Sequence, residues 1–138
     1  MTKITLEKLR ELCNSRARKP SSHEEHELQV ACVNWFRLAY PEYRHNLFAV
    51  PNGGRRDAAT GARLKAEGVL AGVADLILMR RAQEYGALLI ELKTRTGRQQ
   101  STQKEWQQLI ERDGYKYVIC RSLDEFRNEI KKYLQWLK

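Results

Sequence analysis

Two short apolar runs limit what this chain can fold into. Ala74–Met79 and Ala87–Lys93 are each bounded by breakers, with Gly86 in the turn between them. Runs this short suit strands, because helices in globular proteins rarely form below about ten residues. Side chains alternate across a strand. Leu76 and Leu78 therefore share one face of the first run, and Leu88, Ile90 and Leu92 share one face of the second. Asp75, Ile77 and Met79 take the opposite face, as do Leu89, Glu91 and Lys93. One face is aliphatic, and the other carries two carboxylates and an ammonium. Charges in an apolar setting are costly to bury without a partner. Three arrangements meet that cost. Lys93 can pair with a carboxylate, the carboxylates can sit at strand ends in water, or they can share a divalent cation with Lys93 nearby.

The rest of the chain supplies layers around such a hairpin. Ile4, Leu6, Leu9, Leu12 and Cys13 recur near helical spacing over residues 3–15, and a basic connector runs from Arg16 to Pro20. Ser21 and Ser22, each with a Glu three residues on (Glu24, Glu25), are capping-box patterns opening a helix to about Tyr40. Its apolar positions include Leu28, Ala31, Cys32, Trp35 and Phe36, and Pro41 ends it. Leu47–Val50 reads as a strand, Pro51–Gly54 as a turn, and Arg55–Glu67 as holding a short helix closed by Gly68. Thr102 with Glu105 opens a helix to Arg112, with Gly114 just past its end. Tyr117–Cys120 is the next strand. Ser122 with Glu125 caps a last helix to Lys138, with Leu123, Phe126, Ile130, Tyr133, Leu134 and Leu137 on its apolar side. The order α-α-β-α-β-β-α-β-α predicts one mixed α/β domain. Its short sheet has about four strands flanked by helices. Residues 1–20 form an N-terminal helix and connector to a domain over 21–138.

Charge points to a partner class. The 138 residues hold 25 Lys plus Arg against 17 Asp plus Glu, a net +8. That excess favours polyanions, either nucleic acid or an anionic membrane. No apolar run approaches a membrane span, and the first twenty residues lack an apolar signal core, which predicts a soluble cytoplasmic protein. Cys13, Cys32 and Cys120 are too scattered for a disulfide framework or a zinc ribbon. His23 and His26 lack zincin spacing and read as a solvated helix start. Residues 93–104 carry Lys93, Arg95, Arg98 and Lys104 with no acid, and 51–66 carry Arg55, Arg56, Arg63 and Lys65 against Asp57 alone. Such residues suit phosphate contacts, which give affinity and register without reading bases. Arg16, Arg18 and Lys19 could add to them. Trp106 and Trp136 read as core.

Asp75, fifteen intervening residues, then Glu91-x-Lys93 follows the PD-(D/E)xK nuclease pattern, with Ala74 where that motif has proline. Further segments make the likeness more specific. They are Val50-Pro51-Asn52-Gly53-Gly54-Arg55, Gly61–Val69, Gly72-Val73-Ala74-Asp75-Leu76, Ile90-Glu91-Leu92-Lys93-Thr94, Gly97-Arg98, Gln103–Trp106 and Gly114-Tyr115. In this order they resemble the virus-type replication–repair nuclease (VRR-NUC) family, in its stand-alone phage and bacterial form, from about Glu27 to Arg121. The resemblance implies a restriction-endonuclease-like core. It implies Asp75, Glu91 and the Leu92 carbonyl as ligands of Mg²⁺ or Mn²⁺, and Lys93 as the catalytic lysine. Glu27, preceding Leu28-Gln29, would complete the metal or water site, and Gln103 would be the family's glutamine. Arg55, Arg56, Arg63, Lys65, Arg95, Arg98 and Lys104 would contact DNA. The implied activity is metal-dependent, structure-selective DNA cleavage in a prokaryotic cell or phage-infected host. A resolvase-like homodimer on four-way junctions is one form of it. A flap or nicking nuclease, or a non-catalytic DNA-binding module, are the alternatives. No organic cofactor and no membrane partner are expected.

Overall fold

The computed structural model describes Thr5 and residues 21–51 and 57–135, without the side chains of Ser21 and Ser22. The expected N-terminal helix over 3–15, its basic connector, Arg55, Arg56 and Trp136 lie outside these residues. The helices are α1 (Ser21–Ala39), α2 (Ala58–Ala66), α3 (Ser101–Arg112) and α4 (Leu123–Leu134), and the strands are β1 (Leu47–Ala49), β2 (Leu76–Leu78), β3 (Leu88–Leu92) and β4 (Lys116–Cys120). A 3₁₀ turn over Pro41–Tyr43 follows α1. Pro41 stops the α-helix and then starts this turn, where its fixed φ and missing N–H cost nothing.

The sheet order is β1-β2-β3-β4. The first three strands are antiparallel, and β4 runs parallel to β3. The apolar face predicted for the central strands packs into one core. Leu76, Leu78, Leu88, Ile90 and Leu92 meet Cys32 and Phe36 of α1 and Phe126, Ile130, Tyr133 and Leu134 of α4. Trp35 meets Phe126 edge-on, with ring centroids 6.0 Å apart. The opposite face packs Ala74, Ala87, Leu89 and Tyr117 against Trp106 and Ile110 of α3. The result is three layers, with α1 and α4 on one side of the sheet and α3 on the other. Among the described residues, no helix is long and apolar enough to cross a membrane.

The short helix falls within the span expected for it, and the start of α3 differs from expectation. Asp57 caps α2, accepting from Thr60 N–H at 2.6 Å, and this hydrogen bond holds its carboxyl below the usual range. The cap of α3 is Gln100 rather than Thr102, and its box partner is Gln103, whose Oε1 accepts from Gln100 N–H at 2.8 Å. Ser122 caps α4 as expected, accepting from Glu125 N–H at 3.1 Å.

Candidate active site at the end of the central strands

Register brings the carboxylates together. The β2–β3 ladder pairs Leu76 with Ile90, Ile77 with Leu89 and Leu78 with Leu88. One step beyond its last pair, Asp75 falls opposite Glu91. Residues opposed in this way place their Cβ atoms about 4.5–5.5 Å apart, and like charges there repel. At that point the backbone ladder gives way to a side chain, with Leu92 N–H donating to Asp75 Oδ2 at 2.7 Å. The Asp75 carbonyl accepts from Val50 N–H at 2.9 Å, tying this point to the end of β1. The N–H and C=O of a strand residue point to the same side. The Leu92 carbonyl therefore faces the Asp75 edge.

Burial makes this pair unusual. Glu91 is 2% exposed and Lys93 8%. Lys93 Nζ lies 3.6 Å from Glu91 Oε1, and Gln103 Nε2 donates to the same oxygen at 2.9 Å. Because the Gln103 carbonyl oxygen is committed to the Gln100 N–H, its amide can only present donors to Glu91. Glu91 Oε2 is buried and has no hydrogen-bond partner. Removal from water, then the Asp75 charge, push the Glu91 carboxyl up to about 8, against a pull from Lys93. Burial also raises Asp75, opposed by the Leu92 N–H, the Glu91 carboxyl and Lys93.

A third carboxylate, Glu25, feels the charges of Asp75 and Lys93, whereas Glu27 lies on the exposed side of the helix. Burial raises the Glu25 carboxyl, Lys93 lowers it, Asp75 raises it, and a hydrogen bond from the Thr94 N–H lowers it. Glu27 faces the other way. Its Oε1 lies 3.1 Å from His23 Nε2, and its side chain is 67% exposed. The reason is helical geometry, since two residues apart means about 200° around the axis. Stepping back from Phe36 through Cys32 and Leu28 in turns of four, four and three lands on Glu25. That stripe was available in the sequence. The Leu28-Gln29 step of the resemblance points to Glu27.

The chemistry of this donor set fits a hard divalent cation. It offers Asp75, a Glu91 oxygen that no donor among the described residues reaches, close enough to Asp75 for the two carboxyls to share a proton, and a backbone carbonyl on the same edge. Mg²⁺ needs only one or two protein carboxylates and keeps several waters. Among the described residues, no group of three or more His, Cys, Asp or Glu side chains is placed to hold a metal ion. Of the residues expected to contact DNA, Arg95 and Arg98 lie exposed on the turn after Lys93, and Lys104 lies exposed in the first turn of α3. Arg63 and Lys65 are exposed on α2, with Arg63 Nε 3.9 Å from Glu67 Oε1. His23 and His26 are exposed.

A mixed sheet covered by helices on both faces, with an acid-acid-lysine cluster where its central antiparallel pair ends, is a nuclease-type fold. The chain belongs to the VRR-NUC domain family, which matches residues 8–124. The match starts nearer the N-terminus than the likeness visible from Glu27 onward. The chain is also similar to a solved structure described as a VRR_NUC domain protein, with 25% identity, a TM-score of 0.72, and coverage of 81% of this chain and 88% of that one. No curated protein matches it significantly. Proteins of the family are generally nucleases, which makes DNA the substrate the family suggests.

Proposed function

We propose that this protein is a Mg²⁺- or Mn²⁺-dependent, structure-selective endonuclease that hydrolyses phosphodiester bonds in DNA. The observation that carries the proposal is the orphaned, buried Glu91 Oε2 beside Asp75. An anion left unsatisfied in a dry setting destabilises the fold unless something binds it. Asp75, Glu91 and the Leu92 carbonyl would hold the cation, with Glu25 reaching it through water. A bound divalent ion lowers the pKa of water and neutralises phosphate charge.

The chain's own groups do the rest. Gln103 holds Glu91 in one orientation, so the carboxylate is pre-set for its ligand. Lys93, kept largely dry, orients the attacking water and stabilises charge developing on the phosphate. Its ammonium stays close to Glu91, which offsets part of the cost of burying both. Glu25 aligns that water from the α1 side. Arg95, Arg98 and Lys104 contact phosphates without reading sequence. A homodimer cutting both strands of a four-way junction is the form we favour, in the cytoplasm of a prokaryotic cell or a phage-infected host.

The direct test uses labelled four-way junction and matched linear duplex in Mg²⁺, Mn²⁺ or EDTA. We expect cleavage only with metal, and at least about tenfold faster on the junction. Salt-sensitive binding without cleavage in any metal, on any branched or linear DNA, would mean a binding module that keeps the fold.

The two glutamates of α1 give a second test. Glu25→Gln should slow cleavage by roughly 10–100-fold, the scale of losing a group that orients a metal site or its water. Glu27→Gln should cut within about twofold of wild type, because exposed ion pairs contribute little. Single-turnover rates at saturating DNA distinguish the two. The reverse ranking would return the role to Glu27.

A further inference from the structure

We propose that Arg121 is a positioning residue, which holds the turn after the catalytic strand and through it Lys93. This rests on the nuclease reading. The last β3–β4 bond runs from Lys93 N–H to the Cys120 carbonyl at 3.1 Å. Beyond it the chain leaves the sheet. Within the next four residues, Gly97 N–H donates to Thr94 Oγ1 at 3.1 Å and to the Thr94 carbonyl at 3.2 Å.

Two outside groups grip this turn. Glu25 accepts from the Thr94 N–H. At the carbonyl of the same residue, Arg121 Nη1 donates to the Thr94 carbonyl at 2.8 Å, and it also donates to the Gly97 carbonyl at 2.6 Å. Hydrogen bonds from an ionised donor are roughly twice as strong as neutral ones. A single nitrogen bridging two carbonyls fixes their separation as well as their direction. Arg121 is itself anchored, because its N–H donates to Glu125 Oε2 at 2.5 Å beside the α4 cap. The turn is tight around this clamp, since a Cβ on Gly97 would sit 3.0 Å from Thr94 Oγ1 and 3.6 Å from Lys93 Cδ.

Function follows from what the turn carries. Lys93 precedes it, and Arg95 and the nearby Arg98 expose their side chains from it. One guanidinium, two of whose contacts are spent inside the protein, therefore sets the root of the catalytic lysine and the bearing of two phosphate-facing cations. Arg121 thus differs in role from the exposed arginines around it. Its charge is used on carbonyls of its own chain.

The test compares wild type with Arg121→Ala and Arg121→Lys. Readouts are single-turnover junction cleavage, junction affinity without metal, and tryptic nicking after Arg95 and Arg98, mapped by mass spectrometry on protein shown folded by circular dichroism. We expect Arg121→Ala to cut roughly 10–100-fold more slowly, the scale of an ångström-sized misplacement. Affinity should stay within about threefold of wild type, and nicking should accelerate. Arg121→Lys, which keeps the charge without the rigid planar guanidinium, should fall between. Cleavage by Arg121→Ala within twofold of wild type, or a rate loss matched by an equal affinity loss, would overturn the clamp. Nicking needs no turnover, so it also judges the clamp if the wild type proves inactive. Unchanged nicking would then overturn it, whereas an inactive wild type alone counts only against the nuclease reading.

Discussion

Replacing Asp75 by Asn should lower DNA cleavage by about 10³-fold while leaving the fold and DNA binding in place. The argument separates two jobs of one side chain. Structurally, Asp75 Oδ2 accepts the Leu92 N–H at 2.7 Å, where the β2–β3 backbone ladder has ended. An amide oxygen of the same shape still accepts that hydrogen bond, though more weakly than a carboxylate. The isosteric change also removes one of two facing negative charges, which relieves repulsion. The chemical job is lost, because an amide is a far poorer ligand for a hard cation than a carboxylate. A metal-assisted hydrolysis draws several kcal/mol of transition-state stabilisation from its ion, and about 4 kcal/mol corresponds to about 10³ in rate. The checks are single-turnover cleavage in Mg²⁺ and junction affinity in EDTA. Asn at this position cutting at near wild-type rate would mean that Asp75 is only a strand-end cap. Lost affinity together with an unfolded circular dichroism spectrum would mean that its structural job dominates.

The way the site arises explains which parts of it were readable in the sequence. Period-two alternation is local, so the shared face of Asp75, Glu91 and Lys93 followed from counting along two strands. Their contact required the register, which strand length and turn geometry set together. The turn between the strands is closed by an Ala82–Tyr85 bridge, with Gln83 in the left-handed region at φ 56° and its Nε2 donating to the Lys132 carbonyl at 2.9 Å. Nothing local in Ala82-Gln83-Glu84 announces a hydrogen bond to a helix some fifty residues away. Gln103 has the same character. A capping pair was legible near it, but the pair chosen, Thr102 with Glu105, lay two residues late. The pull of Glu91 on the Gln103 amide is tertiary and has no helical period. Glu25 is legible on the helical stripe it shares with Leu28, Cys32 and Phe36, whereas the Leu28-Gln29 step points to Glu27, and the two cues are local signals of different kinds. Arg121 was not legible at all, since its partners are backbone carbonyls, which every residue has.

Glu91→Gln should have opposite effects on activity and on stability. Wild-type Glu91 is 2% exposed, with one oxygen engaged by Gln103 and Lys93 and the other unpartnered. Without metal, the carboxyl beside Asp75 is pushed up to about 8 from an ordinary 4.5, so it keeps its proton at neutral pH and becomes a buried anion only as pH rises through that value. A folded-state pKa above the unfolded value means that the native protein binds more protons, so stability falls as pH rises through that window. Asp75, also raised, adds in the same direction. A neutral amide at position 91 keeps an oxygen for the Gln103 donor and turns an N–H₂ toward Asp75, satisfying the orphaned position. The metal-free variant should therefore be more stable than wild type above about pH 7, by an amount on the order of a few kcal/mol. Its thermal midpoint should vary less between about pH 5 and pH 8. Activity should move the other way, falling about 10³-fold for the reason given for Asp75. Added Mg²⁺ should raise the midpoint of wild type, since a ligand that binds only the folded state stabilises it, and should leave the variant nearly unmoved. Thermal melts across pH, with EDTA or Mg²⁺, measure all of this without DNA. A variant less stable than wild type in EDTA at pH 8 would mean that Glu91 holds the fold through Lys93 and Gln103 rather than waiting for a cation. A site kept at the expense of stability is what a binding centre predicts and a structural salt bridge does not.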